Sequence, residues 1–219
     1  MNTIYREKIL KFINPYIVEL NKKDFSHNSD HIFRVENIAK RIADEENADV
    51  EIIEAACLFF DIARDLEDKG EIDDHAEKGA EIARDILEKI EFPKDKIESV
   101  CHAIFVHRRS KNRIPESLEA KILIDADYLD AMGAIDIARV IASALQSKKY
   151  RKPIYIDKCY ENGDDPNFSA IHFLFYKLNN PKHNPVNFYT RLGKKMAENR
   201  FAFMKEYSER FVDEWHGRR

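Results

Sequence analysis

Residues 31–42 read HIFRVENIAKRI, and the apolar positions Ile32, Val35, Ile38, Ala39 and Ile42 recur at spacings of three and four. That period places them on one stripe of an α-helix, with Arg34, Lys40 and Arg41 set among them. Further along the chain, Asp49 is positioned to cap a second helix, whose run from Ile52 to Phe60 is almost wholly apolar and so predicts a central element. Ile72 to Ile90 reads as a longer amphipathic helix stopped near Pro93. Asp95 and Glu98 then resemble a capping pair that opens a helix running towards His107. Ser117 opens another apolar-periodic helix through KILIDADYLDAM, ending near Gly133, and a further one covers roughly Ala134 to Ser147. Phe168 to Leu178 and Val186 to Trp215 are again helical in period. Weak strand-like alternation is confined to Pro153 to Ile156. The pattern predicts an all-α fold.

The composition bounds what such a fold does. The chain has 219 residues, 44% of them hydrophobic and 35% charged, enough to fill a core and solvate a surface. Lys plus Arg number 36 against 40 Asp plus Glu, so no global positive field recommends a polynucleotide or an anionic membrane. Cys57, Cys101 and Cys159 are far apart and form no pair at metal spacing, which fits a reducing compartment better than a disulfide scaffold. The start, MNTIYREKILKF, lacks a secretory apolar stretch and no later run approaches a membrane span, so a soluble, cytoplasmic protein is expected. The polar stretch SKKYRKPIYIDKCYENGDDPN, residues 147–167, reads as a long functional loop within one domain or as a linker. Phe203, Tyr207, Phe211 and Trp215 are spaced four apart near the end, with Phe201 beside them; core packing and a homodimer face both explain that stripe.

Several polar residues stand where chemistry is plausible. His27 and His31 are four apart and share a face on a continuous helix, although Ser26 and Asp30 would also serve as caps there. Asp61 ends a buried apolar run, which is costly unless the carboxylate ligates a metal, reaches solvent or pairs with Arg64. Asp125, Asp127 and Asp130 interrupt an apolar helix; at ~100° per residue they cannot all face solvent together. At least one should face the interior, compensated by a metal or by Lys121 or Arg139. His102 and His107 lie five apart and diverge around a helix. His75 follows Asp73 and Asp74 at a helix start, where a surface role explains it equally. The basic cluster Arg108, Arg109, Lys111 and Arg113 suits an anionic substrate or a solvated loop.

Taken in order, DHIFRV, LFFDIARD, DDHAEKGAEIARDIL, CHAIFVH and EAKILIDADYLDAMGAIDIAR resemble the HD-domain superfamily of metal-dependent phosphohydrolases. The closer likeness is to its single-domain prokaryotic branch, some members of which act on nucleoside triphosphates. KPIYIDKCYENGDDPNFSAIHFLFYKLNN and RLGKKMAENRFAFM extend the likeness into the tail. The resemblance implies one HD-like helical domain over residues 1–219, with core motifs over about 26–140 and a C-terminal helical extension over about 166–216. It implies His31, Asp61 and Asp127 as metal ligands. His75 and His107 match histidines that in some members bind a second metal or the substrate phosphate, and His27 matches a position that supports the ligands from behind.

One departure is visible. The doublet that names the family reads His-Asp, and here it reads Phe60-Asp61. Phenylalanine cannot coordinate a metal, so one nitrogen ligand is missing from the family's set. The remaining mixed nitrogen and carboxylate set suits Mn, Mg, Fe, Ni, Co or Zn without deciding among them. The expected activity is hydrolysis of a small phosphate ester or nucleotide by metal-activated attack of water on phosphorus. Lys121, Arg108 and Arg34 are the expected substrate-binding cations, and Asp65, one helical turn after Asp61, the expected general acid or base. Arg34 paired with Asp30, and Asp65 as a plain surface carboxylate, are the competing explanations. The alternative function is an HD-like protein, impaired or non-catalytic, that binds a nucleotide or a protein partner through the same pocket.

Overall fold

The computed structural model describes residues 1–22, 28–147, 151–161, 165 and 167–219. Among the described residues there are ten α-helices and no strand: α1 (Thr3–Leu20), α2 (Asp30–Glu46), α3 (Val50–Phe59), α4 (Arg64–Asp68), α5 (His75–Lys89), α6 (Lys94–Val106), α7 (Leu118–Asp130), α8 (Gly133–Gln146), α9 (Ala170–Asn179) and α10 (Arg191–Trp215). The all-α expectation holds, and the alternation at Pro153 to Ile156 does not form a strand. None of these helices is long and apolar enough to cross a membrane. Contacts divide the chain into two compact units. The first comprises the described parts of Met1–Lys23, His27–Asp127 and Tyr189–Gly193; the second comprises those of Tyr128–Phe188 and Lys194–Arg219.

In the first unit α3 is the hub, packing against α1, α2, α5 and α6. Asp49 caps it as expected, its carboxylate accepting the N–H groups of Glu51 and Ile52 at 2.9 and 3.3 Å. Every residue from Ile52 to Ala63 is buried, so beyond Glu51 the helix has no solvent face and its polar member there needs a partner. That member is Glu54, and Lys40 on α2 reaches it at 2.7 Å. Burying Ile53, Leu58 and Phe59 completely is worth roughly 1.5–3 kcal/mol each, which is why this segment anchors the unit. Gly79 lets α5 approach closely: a Cβ there would stand 3.1 Å from the Phe59 carbonyl oxygen.

Two boundary expectations change. The helix expected from Ile72 begins at His75, because the Asp74 side chain accepts the Ala76 N–H and sets the start. Asp95 and Glu98 do not form a capping pair. Pro93 precedes α6 without a side-chain cap, and the Glu98 carboxylate is held by Arg84 on α5.

The second unit contains α8, α9 and most of α10, with α8 packed on α9. Ser169 caps α9 by accepting the His172 N–H at 3.2 Å. The described part of the polar stretch runs back to α9 through Pro153 and Ile154, whose carbonyls accept the N–H groups of Ala170 and Ile171. Part of the aromatic stripe is satisfied locally. Tyr155 packs edge-on to Phe211 and Trp215, with ring centroids 5.8 and 5.1 Å away, while Phe203 stays exposed.

Candidate metal centre

The end of α3 delivers Asp61. The helix stops at Phe59 and Phe60 caps it, so the carboxylate stands just beyond the apolar run, in the first unit, and is only 5% exposed. A carboxylate buried to that extent needs compensating charge. Arg64 supplies some, its Nη1 lying 3.2 and 3.4 Å from the two oxygens. Histidines approach from two sides: His75 Nε2 is 3.1 Å from Oδ1, and His31 Nε2 is 3.9 Å from Oδ2. Burial pushes the Asp61 carboxyl up, but Arg64, His75 and His31 outweigh it and hold the group well below the usual carboxylate range.

His75 opens α5, and its environment fixes its chemistry. The backbone N–H donates to Glu67 Oε2 at 2.9 Å, and the ring Nδ1 engages the same oxygen. A neutral imidazole that donates from Nδ1 keeps a bare lone pair on Nε2. That Nε2 is buried without a hydrogen-bond partner even though Asp61 Oδ1 is 3.1 Å away, because the oxygen lies off the direction of a ring N–H. His107, at the C-terminal end of α6, repeats the arrangement: its Nδ1 donates to the Ile104 carbonyl at 2.6 Å. Burial pushes His107 down to about 4, so it is neutral at pH 7 and its Nε2 is also a lone-pair donor.

Asp61, His75 and His107 bring ligand atoms within 4.8 Å of one another, all buried. Two imidazole nitrogens and a carboxylate oxygen gathered this closely match what a divalent cation requires. Each Nδ1 has a hydrogen-bonding partner, the arrangement that turns Nε2 of a ligating histidine towards a metal. The residues present therefore fit a metal ion.

His31 and Asp127 flank this cluster on the Oδ2 side of Asp61. His31 stands in the first turn of α2, and its Nε2 lies 3.2 Å from Asp127 Oδ1 on α7. Burial raises the Asp127 carboxyl, and His31 more than reverses that, leaving it below its ordinary value. Phe60, 1% exposed, presents its ring edge-on between the histidines, with centroids 5.5 Å from His31 and 5.3 Å from His107. The structure thus gathers all five residues that the resemblance implied; Asp61, His75 and His107 bring their ligand atoms together in one compact set, and Glu67, Asp74 and His75 do so in another.

The remaining expected site residues are placed as follows. Arg108 is committed to two carboxylates, its Nη1 lying 3.0 Å from Glu67 Oε2 and 2.9 Å from Asp74 Oδ1. Arg113 joins Asp74 at 2.7 Å, so this basic cluster is largely neutralised by its own acids. Asp65 on α4 pairs with Lys69 at 2.5 Å. Arg34 is half-buried on α2, and Lys121 is half-buried on α7 with no ion pair among the described residues. His27 lies outside the described residues. His102 points away, accepting the Glu116 N–H at 3.2 Å.

Of the three acids in α7, Asp125 is fully buried and faces away from the His and Asp cluster. It accepts the Tyr189 and Thr190 N–H groups at 3.0 and 2.7 Å and the Thr190 hydroxyl at 2.8 Å. Asp130 pairs with Arg139 at 2.8 Å, the bland explanation that the sequence offered. Glu67 and Asp74 are the residues that sequence reasoning missed. Each sits in a charged stretch that reads as surface, and only the α5 start signal at Asp74 hinted otherwise.

Residues 28–132 match the HD domain family. The Bacillus subtilis (strain 168) protein YpgQ is 30% identical over 194 residues, covering 86% of this chain and 84% of YpgQ. A solved structure described as a predicted HD superfamily hydrolase, from an uncultured Thermotogales bacterium, is 32% identical with a TM-score of 0.68, covering 95% of this chain and 92% of that one. The crystal structure of B. subtilis YpgQ in complex with ADP is 26% identical with a TM-score of 0.64, covering 96% of this chain and 95% of that one. With its buried His and Asp cluster on a helical frame of this kind, the chain belongs to the HD domain family and has the fold of the HD superfamily hydrolases.

Proposed function

We propose that this protein is a metal-dependent phosphohydrolase acting on a nucleotide or another small phosphate ester, by attack of water on phosphorus. One observation carries the reading: the buried Asp61–His75–His107 cluster, in which His75 Nε2 stands unbonded 3.1 Å from Asp61 Oδ1. These three residues would hold a divalent ion, with His31 and Asp127 as further ligands beside the second oxygen of Asp61. Such an ion supplies Lewis-acid polarisation of a phosphate oxygen and a lowered pKa for bound water. We read Phe60 as standing where the family's doublet histidine would be, so that His75 and His107 compensate for the nitrogen it removes. Mn, Mg, Fe, Ni, Co and Zn all accept such a set.

The chain's own residues do the rest. Arg64 touches Asp61 with its side chain 40% exposed, and so has both the charge and the access to meet a phosphate oxygen. Lys121 and Arg34 remain the other proposed phosphate contacts, and Asp65 the proposed proton acceptor or donor. Arg108 fits this role less well, because Glu67 and Asp74 already occupy it. The ADP bound by YpgQ supports a nucleotide as substrate, and the near-balanced charge of 36 basic against 40 acidic residues gives no support to a polynucleotide.

The test is metal-dependent turnover. Metal-stripped protein receives Mn, Mg, Ni, Co or Zn with a panel of nucleotides and phosphate esters, and phosphate and pyrophosphate release are followed. Turnover that requires metal and disappears in the Asp61→Ala, Asp127→Ala double variant is the expected result. Nucleotide binding without turnover under every metal would instead favour a non-catalytic binding protein, the reading that Phe60 motivates.

A further inference from the structure

Glu67 lies on α4, eight residues before His75, in the stretch ARDLEDKGE. Its sequence context is that of a solvated charged face. The structure turns it inward, and its Oε2 alone meets three groups: the His75 backbone N–H at 2.9 Å, the His75 Nδ1, and Arg108 Nη1 at 3.0 Å. The same Arg108 nitrogen reaches Asp74 Oδ1 at 2.9 Å, and Asp74 caps the helix that His75 opens. A chain of contacts therefore runs from Asp74 through Arg108 and Glu67 to the back of the His75 ring. The front of that ring faces Asp61.

Two carboxylates thus flank the His75 ring, one at each nitrogen. The Glu67 oxygen meets the ring within hydrogen-bonding geometry, whereas Asp61 Oδ1 lies close to Nε2 but off its N–H direction. The better-aligned acceptor fixes which nitrogen carries the proton. We infer that Glu67 is a positioning residue that keeps the His75 proton on Nδ1, so that a bare Nε2 is presented beside Asp61, with Arg108 holding Glu67 in place. Arg108 is then a support for the centre and not a phosphate contact. The consequence for metal binding rests on the proposed metal centre; the assignment of the tautomer does not.

The experiment separates the two. Nitrogen-15 spectra of the imidazoles in metal-free protein report the His75 tautomer directly. The wild type should show a protonated Nδ1 and a bare Nε2, and Glu67→Ala should move the proton to Nε2 or mix the two forms. Glu67→Gln, whose side-chain oxygen still accepts, should keep the wild-type tautomer. In calorimetric titration with Mn²⁺, Glu67→Ala should weaken binding by about 10- to 100-fold, as loss of a carboxylate behind a ligating histidine does elsewhere. In a His75→Ala background the same substitution should cost nothing more. Thermal melts of each variant report separately the loss of the bond to the His75 backbone.

An unchanged His75 tautomer in Glu67→Ala, a wild-type ring protonated on both nitrogens, or an equal loss of affinity in the His75→Ala background would each overturn the inference. Wild-type protein that takes up no metal would overturn the metal centre, and the tautomer spectra would still decide the role of Glu67.

Discussion

Phe60 meets His107 edge-on, ring centroids 5.3 Å apart and planes at 87°. The same ring lies 5.5 Å from His31, so an apolar side chain occupies the middle of the proposed metal ligands. Phe60→His should therefore place a fourth imidazole among them and raise Mn²⁺ affinity at least tenfold by calorimetry. The metal-free protein should at the same time lose roughly 1–3 kcal/mol, because a smaller polar ring replaces a buried apolar one. Unchanged or weaker Mn²⁺ binding would mean that Phe60 does not stand in a ligand's place.

Asp61 offers one oxygen to His75 and the other to His31. Removing it strips both sides of the centre, whereas removing Asp127 leaves the Asp61–His75–His107 cluster complete. Metal content after dialysis should thus be abolished by Asp61→Ala and only reduced by Asp127→Ala. Equal losses would show that the two histidine flanks bind as one indivisible set.

Asp74 is nearly buried, and although burial alone would raise its carboxyl, Arg108, the Ala76 N–H and Arg113 bring it down to about 2. A folded value below the unfolded one near 3.8 means that the ionised form stabilises the fold above about pH 4, and that this contribution fades as pH falls towards 2. At neutral pH it amounts to roughly 2 kcal/mol. Asp74→Asn should lose that amount at pH 7 in urea unfolding and show a flatter decline between pH 4 and 2. A variant that tracked the wild type across that window would place the acid sensitivity elsewhere.

Gly193 has no room for a side chain: a Cβ there would lie 2.5 Å from Thr190 Oγ1 and 2.6 Å from Asp125 Oδ2. Gly193→Ala should cost roughly 1–3 kcal/mol by forcing that contact apart. Thr190→Val, which leaves Asp125 one donor short in a fully buried site, should cost a similar amount. Denaturant midpoints should fall in both variants.

The helical frame was legible in the sequence because apolar periodicity is a local property. Ile32, Val35, Ala39 and Ile42 are buried along α2, and the run after Asp49 is the hub that its unbroken apolarity implied. The expected capping pair at Asp95 and Glu98 failed for a non-local reason, since Arg84 on another helix claims Glu98. The site divides in the same way. Asp61 was conspicuous as a charge closing a buried run, whereas His75 and His107 looked like any helix-end histidines until resemblance singled them out. Glu67 had no local signal at all: its importance depends on the chain turning between α4 and α5 to bring it under the His75 ring. The buried fate of Asp125 was foreseeable, but its partners were not, because they lie 64 residues further along.

Asp125 and Asp127, two residues apart on α7, project roughly 160° from each other around the helix axis. The first is gripped by the Tyr189–Thr190 backbone and the second leans on His31. A helix held on opposite sides by two acids, one buried and one half-buried, cannot roll about its own axis without breaking one grip or the other. The rotational register of α7 is therefore locked, and Asp127 is delivered to its position by a brace on the far side of the same helix.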